Sequence, residues 1–462
     1  MAGTPFPFPK SSTPGARPGE GEGRYLNCHA VQEGGRTYVR RDPGLVTLSA
    51  TGKSAPFRGM LDVNGIKYAV FNGAVVTVSA GGVVTTLSGA IPGSDGVTLA
   101  RNNKVTGGVS TPDIVAVRES GGAYLLSASA VSAYPDADLP ASVNSVDFLG
   151  GYFLFSLPDG RIFASELNST AINALSFATA ENRADGLRRI AVSGNIAYAF
   201  GSSTIEPYVN VGTSPFPLQR AATVPPIGVL TTMAVAGHEE AWNNPVFFVA
   251  SDKTVRTLQG YETATVSTAD VDRFIAASTI ASLELCVFVW NGRGFVVVSS
   301  DAGTWAYDVS AHAWHEKTSK FTTPARWRAS RSIYSNGQWV FGDTLGGNLQ
   351  ALTAALSENG QPLPWLIQSG PLKDFPARIA CRLSADFTEA AEQVLVSWSH
   401  DGGKTWSDEL TRSIADAGRW PLSVASLGLG TQHGLIVRFR GEGAADFSFG
   451  GATAERLAAR GA

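Results

Sequence analysis

The seventeen residues from Val192 to Tyr208, VSGNIAYAFGSSTIEPY, decide the fold. Ser-Gly-Asn makes a turn, and Ile196 to Phe200 is an apolar run too short for a helix. Gly-Ser-Ser-Thr then turns the chain again and Ile205 starts a second run. Six other stretches keep this order: residues 63–78 (VNGIKYAVFNGAVVTV), 105–117 (VTGGVSTPDIVAV), 149–164 (LGGYFLFSLPDGRIFA), 235–250 (VAGHEEAWNNPVFFVA), 290–307 (WNGRGFVVVSSDAGTWAY) and 335–352 (SNGQWVFGDTLGGNLQAL). With Gly65, Gly108, Gly151, Gly194, Gly237, Gly292 and Gly337 as equivalent turns, the steps are 43, 43, 43, 43, 55 and 45 residues. A period of ~40 to 50 residues with about four strands per unit is that of propeller blades, because one meander cannot bury both its faces while a ring of them can. The expected fold is all-β: a β-propeller over residues 36–360 with seven blades, six being the alternative count, and an insertion in the long fifth step. The last unit lacks a clear outermost strand, and Tyr38 to Leu48, YVRRDPGLVTL, is expected to supply it and close the ring.

Composition agrees with many short strands and tight turns. Gly is abundant at 51 residues, Met is scarce at 3, and the charged fraction of 16% is low against the ~25% usual for soluble domains. A formal net charge of −3 does not suggest a chain that grips nucleic acid by counterion release. Cys28, Cys286 and Cys381 are far apart and never in a C-x-x-C spacing, which indicates neither a disulfide framework nor a zinc site. The N-terminus lacks the apolar centre of a secretory signal and no run approaches the ~18 apolar residues of a membrane helix, so assembly in a cytoplasm is expected.

Two further regions flank the repeat. Residues 1–35 read as an extended Pro/Gly-rich arm without a core of its own, with Phe6 and Phe8 set between prolines. After Pro364 the runs CRLSADFT, QVLVSWSHDGGKTWSDEL and GLIVRFRGEGAADFSFGGATAERL alternate strictly, so residues 365–462 are expected to form a small antiparallel, sandwich-like β domain.

Catalytic signals are sparse. Ser399, Asp401, Gly403, Thr405 and Trp406 spell S-x-D-x-G-x-T-W, the Asp-box of sialidases and related sugar-handling propellers. That motif occurs once, outside the propeller repeat, and its side chains bond turn backbone, so a structural hairpin is expected. A sialidase-like or glycan-binding propeller acting on host surface sugars is the alternative. It would need arginines, a tyrosine with a glutamate, and an aspartate converging in one mouth. The arginine groups Arg40 and Arg41, Arg188 and Arg189, and Arg326, Arg328 and Arg331 have no spacing that enforces convergence. His312 and His315 in SAHAWHEK are i, i+3 without a third ligand, which reads as an exposed polar turn rather than a metal site. Asp270, Asp272 and Glu262 read as a solvated acidic loop. There is no phosphate loop and no G-x-S-x-G elbow, so no enzyme activity and no cofactor is expected. A cellular adaptor propeller would carry repeated G-H and W-D marks, which are absent.

Phe200 to Glu206, FGSSTIE, followed by an aromatic and a glycine-ended strand, resembles the packaged-DNA-stabilisation family of short-tailed bacteriophages, the tail accessory, nozzle or hub proteins. RYLNCHAV, Arg24 to Val31, resembles that family's tyrosine-leucine-x-asparagine neighbourhood. VRRDPGL, Val39 to Leu45, is similar to its arginine-x-x-proline-glycine segment, and SHDGGKTW sits where the family has an Asp-Gly turn. The resemblance implies a virion protein, a homo-hexamer that docks on the adaptor ring below the portal and extends the DNA channel. It further implies help in retaining packaged DNA until ejection and attachment surface for a tail needle, fibres or spikes. DNA would pass without specific binding, and no catalytic residue is implied. Phe200, Gly201, Ser202, Ser203, Thr204, Ile205 and Glu206 are expected to be structural, with Gly201 free to take positive φ.

Overall fold

Residues 3–17, 19–180, 185–320, 326–373, 381–428 and 433–456 are described by the structure, a computed structural model. Seven four-stranded antiparallel meanders succeed one another: blades 1 to 6 over residues 57–86, 97–133, 145–179, 187–220, 235–265 and 284–317, and blade 7 over residues 329–353 with the N-terminal strand Gly44–Lys53. Their first strands, Phe57–Val63, Val97–Arg101, Ser145–Leu149, Leu187–Ser193, Val235–Ala236, Glu284–Trp290 and Ala329–Ser335, surround the axis, and the seventh packs on the first. All seven turn glycines lie between a first and a second strand, with φ from +59° to +102°, a region a β-carbon disfavours. Second strands are buried on both faces, as Ile196–Gly201 is, because each blade is covered by its neighbours. Aromatic contacts fill the seams, with Phe200 and Phe248 centroids 5.8 Å apart across blades 4 and 5 and Phe288 and Phe341 5.8 Å apart across blades 6 and 7. Each such side chain contributes about 1.5–3 kcal/mol on burial.

The long fifth step holds a helix, Ala269–Ala277, followed by a single turn, Ile280–Ser282. Asp270 and Asp272 sit in its first turn rather than in a solvated loop. Asp270 is buried and accepts from Gly15 N at 3.0 Å and Arg273 Nη2 at 2.6 Å. Acidic side chains there complement the helix dipole.

Ring closure differs in register from the expectation. Gly44–Lys53 pairs with Gly347–Thr353, whereas Arg36–Arg41 pairs with Cys28–Glu33 and with the last strand of the chain. Asp42-Pro43 separates the two strands. Proline has no N–H for the ladder, so the chain changes sheets there.

The described N-terminal residues are built into sheets rather than forming a free arm. Thr4–Pro5, Cys28–Glu33 and Arg36–Arg41 join Cys381–Phe387, Leu422–Val424 and Ser448–Arg456 in one sheet. Gly23–Leu26, Trp365–Ser369, Ile436–Gly441, Gln393–Ser399 and Leu410–Ser413 form a second, which continues into blade 6 because Leu26 pairs in parallel with Glu316. Phe6, Tyr25 and Val39 share a core with Trp365, Phe387 and Phe449 between these sheets. The prolines do not disturb this docking, since Phe6 N donates to Ala452 O at 2.8 Å and Pro7 O accepts from Gly370 N at 2.7 Å. Residues 1, 2 and 457–462 lie outside the described residues. Among the described residues no helix is long and apolar enough to cross a membrane.

Candidate functional site

Polar side chains on the first strands tie blade 2 to blade 3, blade 3 to blade 4 and blade 6 to blade 7. Thr98 Oγ1 accepts from Val146 N at 2.9 Å, Ser145 Oγ from Ile190 N at 2.8 Å, Asp147 Oδ2 from Val192 N at 2.7 Å, and Ser332 Oγ from Val287 N at 3.1 Å. Three of these strands carry a bulge, each with an arginine as the extra residue: Arg58, Arg188 and Arg331. A bulge leaves one residue unpaired and re-aims its side chain. Arg58, fully buried, donates to the carbonyls of Asn72 (2.7 Å), Ile91 (2.5 Å) and Asp95 (2.6 Å), linking blade 1 to the start of blade 2. Arg188 Nη1 donates to Val229 O at 2.7 Å and to Leu230 O, linking blade 4 to blade 5. Arg331 Nη1 donates to Arg58 O, linking blade 7 to blade 1. Asn144 Nδ2 does the same from blade 3 to Leu187 O of blade 4, at 2.7 Å. These fixed donors occupy carbonyls at the seams that would otherwise be buried without partners.

The axis is lined by side chains around a cavity of about 200 Å³. Arg189 Nη1 donates to Thr232 O at 3.0 Å and Nη2 to His238 Nε2 at 3.0 Å. Burial, with Arg189 adding to it, pushes His238 down to about 3, so the imidazole is neutral and its proton is on Nδ1. Burial raises Asp147 to about 6 and Glu239 to about 7. Burial also opposes the charge of Glu284, but Arg326 and Arg331 outweigh it and hold that carboxylate below its ordinary range.

A second polar centre joins the propeller to the two-sheet domain. Asp42 Oδ1 accepts from His29 Nδ1 at 2.8 Å, and Oδ2 accepts from His315 Nε2 at 2.9 Å and from Lys317. All four residues are at most 7% exposed. Burial works against the Asp42 charge, yet His315 and Lys317 hold its pKa well below normal, while burial keeps His315 below the usual imidazole value. His29, Asp42 and His315 offer ligand atoms within 4.8 Å of one another, but Lys317 already supplies the cation at Asp42. Beside it Asn27, fully buried at φ +51°, donates to Thr318 O (2.8 Å) and Pro364 O (2.6 Å) and accepts from Thr318 N (3.0 Å). Arg41 donates to the carbonyls of Leu363, Gly443 (2.7 Å) and Ala445 (2.9 Å).

A family model described as bacteriophage P22 Gp10, β-propeller, of the phage stabilisation proteins, matches residues 26–357, most of the chain. The chain belongs to this family. It is therefore a phage structural β-propeller protein of the kind that stabilises packaged DNA. No curated protein matches. Among solved structures it is similar to a computationally designed protein, Ika8, at 12% identity, covering 76% of this chain and 100% of that one with a TM-score of 0.36. It is also similar to BBS1N in complex with ARL6DN, at 10% identity, covering 68% and 97% with a TM-score of 0.43.

Within this Gp10-family chain three of the stretches that carry the resemblance are hydrogen-bond centres. Asn27 belongs to the first, Arg41 and Asp42 to the second, and the third turns on Asp185. Its Oδ2 accepts from Ser203 N (2.6 Å), Thr204 N (2.9 Å) and Ser203 Oγ (2.9 Å). Gly201 is not among the positive-φ residues; a β-carbon there would meet Asp185 Oδ2 at 2.5 Å, so glycine is required for space and not for φ. Phe200 and Ile205 enter the largest core cluster, and Glu206 is buried against Tyr208 Oη (3.1 Å) and Arg220 Nη1 (3.3 Å).

The Asp-box residues form a local hairpin. Asp401 Oδ1 accepts from Ser399 Oγ at 2.8 Å and Thr405 N at 2.9 Å, Oδ2 accepts from Thr405 Oγ1 at 2.7 Å, and Gly403 N donates to Ser399 Oγ at 2.9 Å. Trp406 lies under Arg438, whose guanidinium carbon is 4.0 Å from the ring centroid. His312 and His315 do not meet. His312 bonds Tyr307 Oη at 3.0 Å, while His315 is buried on Asp42, so the expected exposed turn holds only one of the pair. Of the arginine groups, Arg189, Arg326 and Arg331 come together near the axis, Arg328 pairs with Asp343 at 2.7 Å, and Arg40 pairs with Glu33 at 2.9 Å. Composition gave no sign of Arg58; its place before a glycine at the head of a first strand, as Phe57-Arg58-Gly59, was the available signal. The three cysteines are free and buried.

Proposed function

We propose that this chain is a tail nozzle protein: copies arranged as a ring below the portal and adaptor, extending the DNA channel, helping to retain the packaged genome and offering attachment surface for a needle, fibres or spikes. Membership of the P22 Gp10 family carries this reading. Two physical features support it. The cavity on the propeller axis is only about 200 Å³ among interlocked side chains, too small for a duplex whose major groove alone is ~12 Å wide, which favours a DNA path between copies. The chain also contains uncharged runs of unusual length, residues 68–94, 120–135, 167–180 and 190–205, and a wall with few cations does not bind passing phosphates. Six copies in head-to-tail contact would close such a ring.

The glycan reading lacks support at the mouth. Arg188, Arg189 and Arg331 donate to carbonyls of neighbouring blades, and Arg326 is taken by Glu284, so no three-arginine clamp on a carboxylate is open. Phage particles assembled without this protein test the nozzle role. The expected result is filled heads that lose their DNA, with the defect restored by adding purified protein; particles that keep their DNA would remove the proposal.

A further inference from the structure

We infer that the axial cavity is a binding site for a small anion, a halide, held by Arg189 and His238 with Arg331 alongside. The unfilled hydrogen-bonding capacity there is one-sided. Arg189 is nine-tenths buried, and its Nε has no partner. His238 Nε2 accepts from Arg189, which leaves an Nδ1–H donor without a hydrogen bond, 4.0 Å from Glu239 Oε2. Arg331 Nε is also buried without a hydrogen bond, 3.5 Å from Glu284 Oε2. Most of the carboxylate oxygens of the lining are spent on other donors. Asp147 accepts from Phe148 N (2.8 Å) and Val192 N (2.7 Å), Asp62 accepts from Gly65 N (3.0 Å) and Ser335 Oγ (2.5 Å), Glu239 Oε2 accepts from Gly237 N (2.6 Å), and Glu240 is exposed.

The remaining wall is mixed, with apolar Met233, Val235 and Leu285 beside polar Thr98, Ser332 and Tyr334. Each buried, unmade donor costs about 1–3 kcal/mol, and an acceptor-only ion repays several at once. Arg331 reaches the cavity from a bulge at φ +39°, a conformation that costs energy for a residue other than glycine. The ion would complete a network running from blade 4 through blade 5 to blade 7.

The site is tested by soaking crystals of the full chain in bromide and collecting anomalous data. The expected result is one anomalous peak in the axial cavity within hydrogen-bonding range of Arg189 and His238. That peak should be lost in Arg189→Gln, which keeps side-chain N–H donors and removes the charge. In solution, the Tm of the wild-type protein should rise with chloride at constant ionic strength, relative to gluconate, and this shift should vanish in the variant. If the variant does not fold, the wild-type map and the wild-type salt series decide. A cavity holding only ordered water with no chloride effect on Tm, or a bromide peak undiminished in Arg189→Gln, overturns the inference.

Discussion

Asp185, Asn27, Arg58 and Arg188 show what single residues do in a chain so poor in charge: each holds two or more backbone groups where elements meet, while Asp42 gathers the side chains of His29, His315 and Lys317. Replacing Arg58 by methionine keeps most of the volume but strands the carbonyls of Asn72, Ile91 and Asp95. Urea unfolding should report a loss of about 3 kcal/mol or more, since each stranded buried acceptor costs about 1–3 kcal/mol. Asp401→Ala acts differently, because that carboxylate serves only its own turn. Amide exchange at Thr405 should speed up while the propeller's Tm stays put. His315 gives a pH dependence. Its folded pKa is depressed by burial, so the unfolded chain binds more protons below about 6.5, and stability is complete above that pH and declines as pH falls. In His315→Gln that contribution is absent. The stability difference between wild type and variant should therefore shrink from pH 7 to pH 5, by at most about 1.4 kcal/mol per pH unit. A difference independent of pH would show that His315 does not titrate in this range. None of these roles was legible in the sequence except the Asp-box turn, whose partners are all within a few residues. Asp42 meets Lys317 across 275 positions, and Arg331 meets Arg58 across 273.

Elements were legible to the extent that their causes are local. The Gly-Asn turns and short apolar runs marked the first and second strands of the blades, and the long fifth step marked an insertion. The helix Ala269–Ala277 went unread because its apolar face is narrow, with only Val271 and Ile275 among its apolar residues buried. The N-terminal strands were hidden for another reason: a proline-rich segment has low strand propensity, and only a distant partner, Ser448–Arg456, makes it a strand. Tertiary context also moved the closing strand to Gly44–Lys53. Deleting residues 1–10 should expose the edge of Ser448–Arg456 and remove Phe6, which is 4% exposed, and Phe8, which meets Phe449 with centroids 4.8 Å apart. Two aromatic side chains at about 1.5–3 kcal/mol each predict a loss of about 3 kcal/mol or more. Hydrogen exchange should place the loosening in residues 381–387 and 448–456, with the amides of blades 2 to 4 unaffected. Equal loosening of those blades would mean that the arm supports the whole chain.

At the scale of the molecule, the chain's two ends are built into one body: residues from the N-terminus complete both the last blade and the two-sheet domain, and the polar centre at Asp42 joins them. Such a unit can be placed in a ring without a flexible hinge between its parts. The family match assigns it to phage structural proteins that stabilise packaged DNA, and the small axial cavity agrees with the proposal that DNA passes between copies rather than through one. Cryo-electron microscopy of the intact tail tests this account most directly. It predicts six copies in a closed ring below the adaptor, each propeller axis filled with side chains, and a shared lumen walled by surface poor in Lys and Arg. A tail without this protein, or a lumen lined by its arginines and lysines, would contradict it.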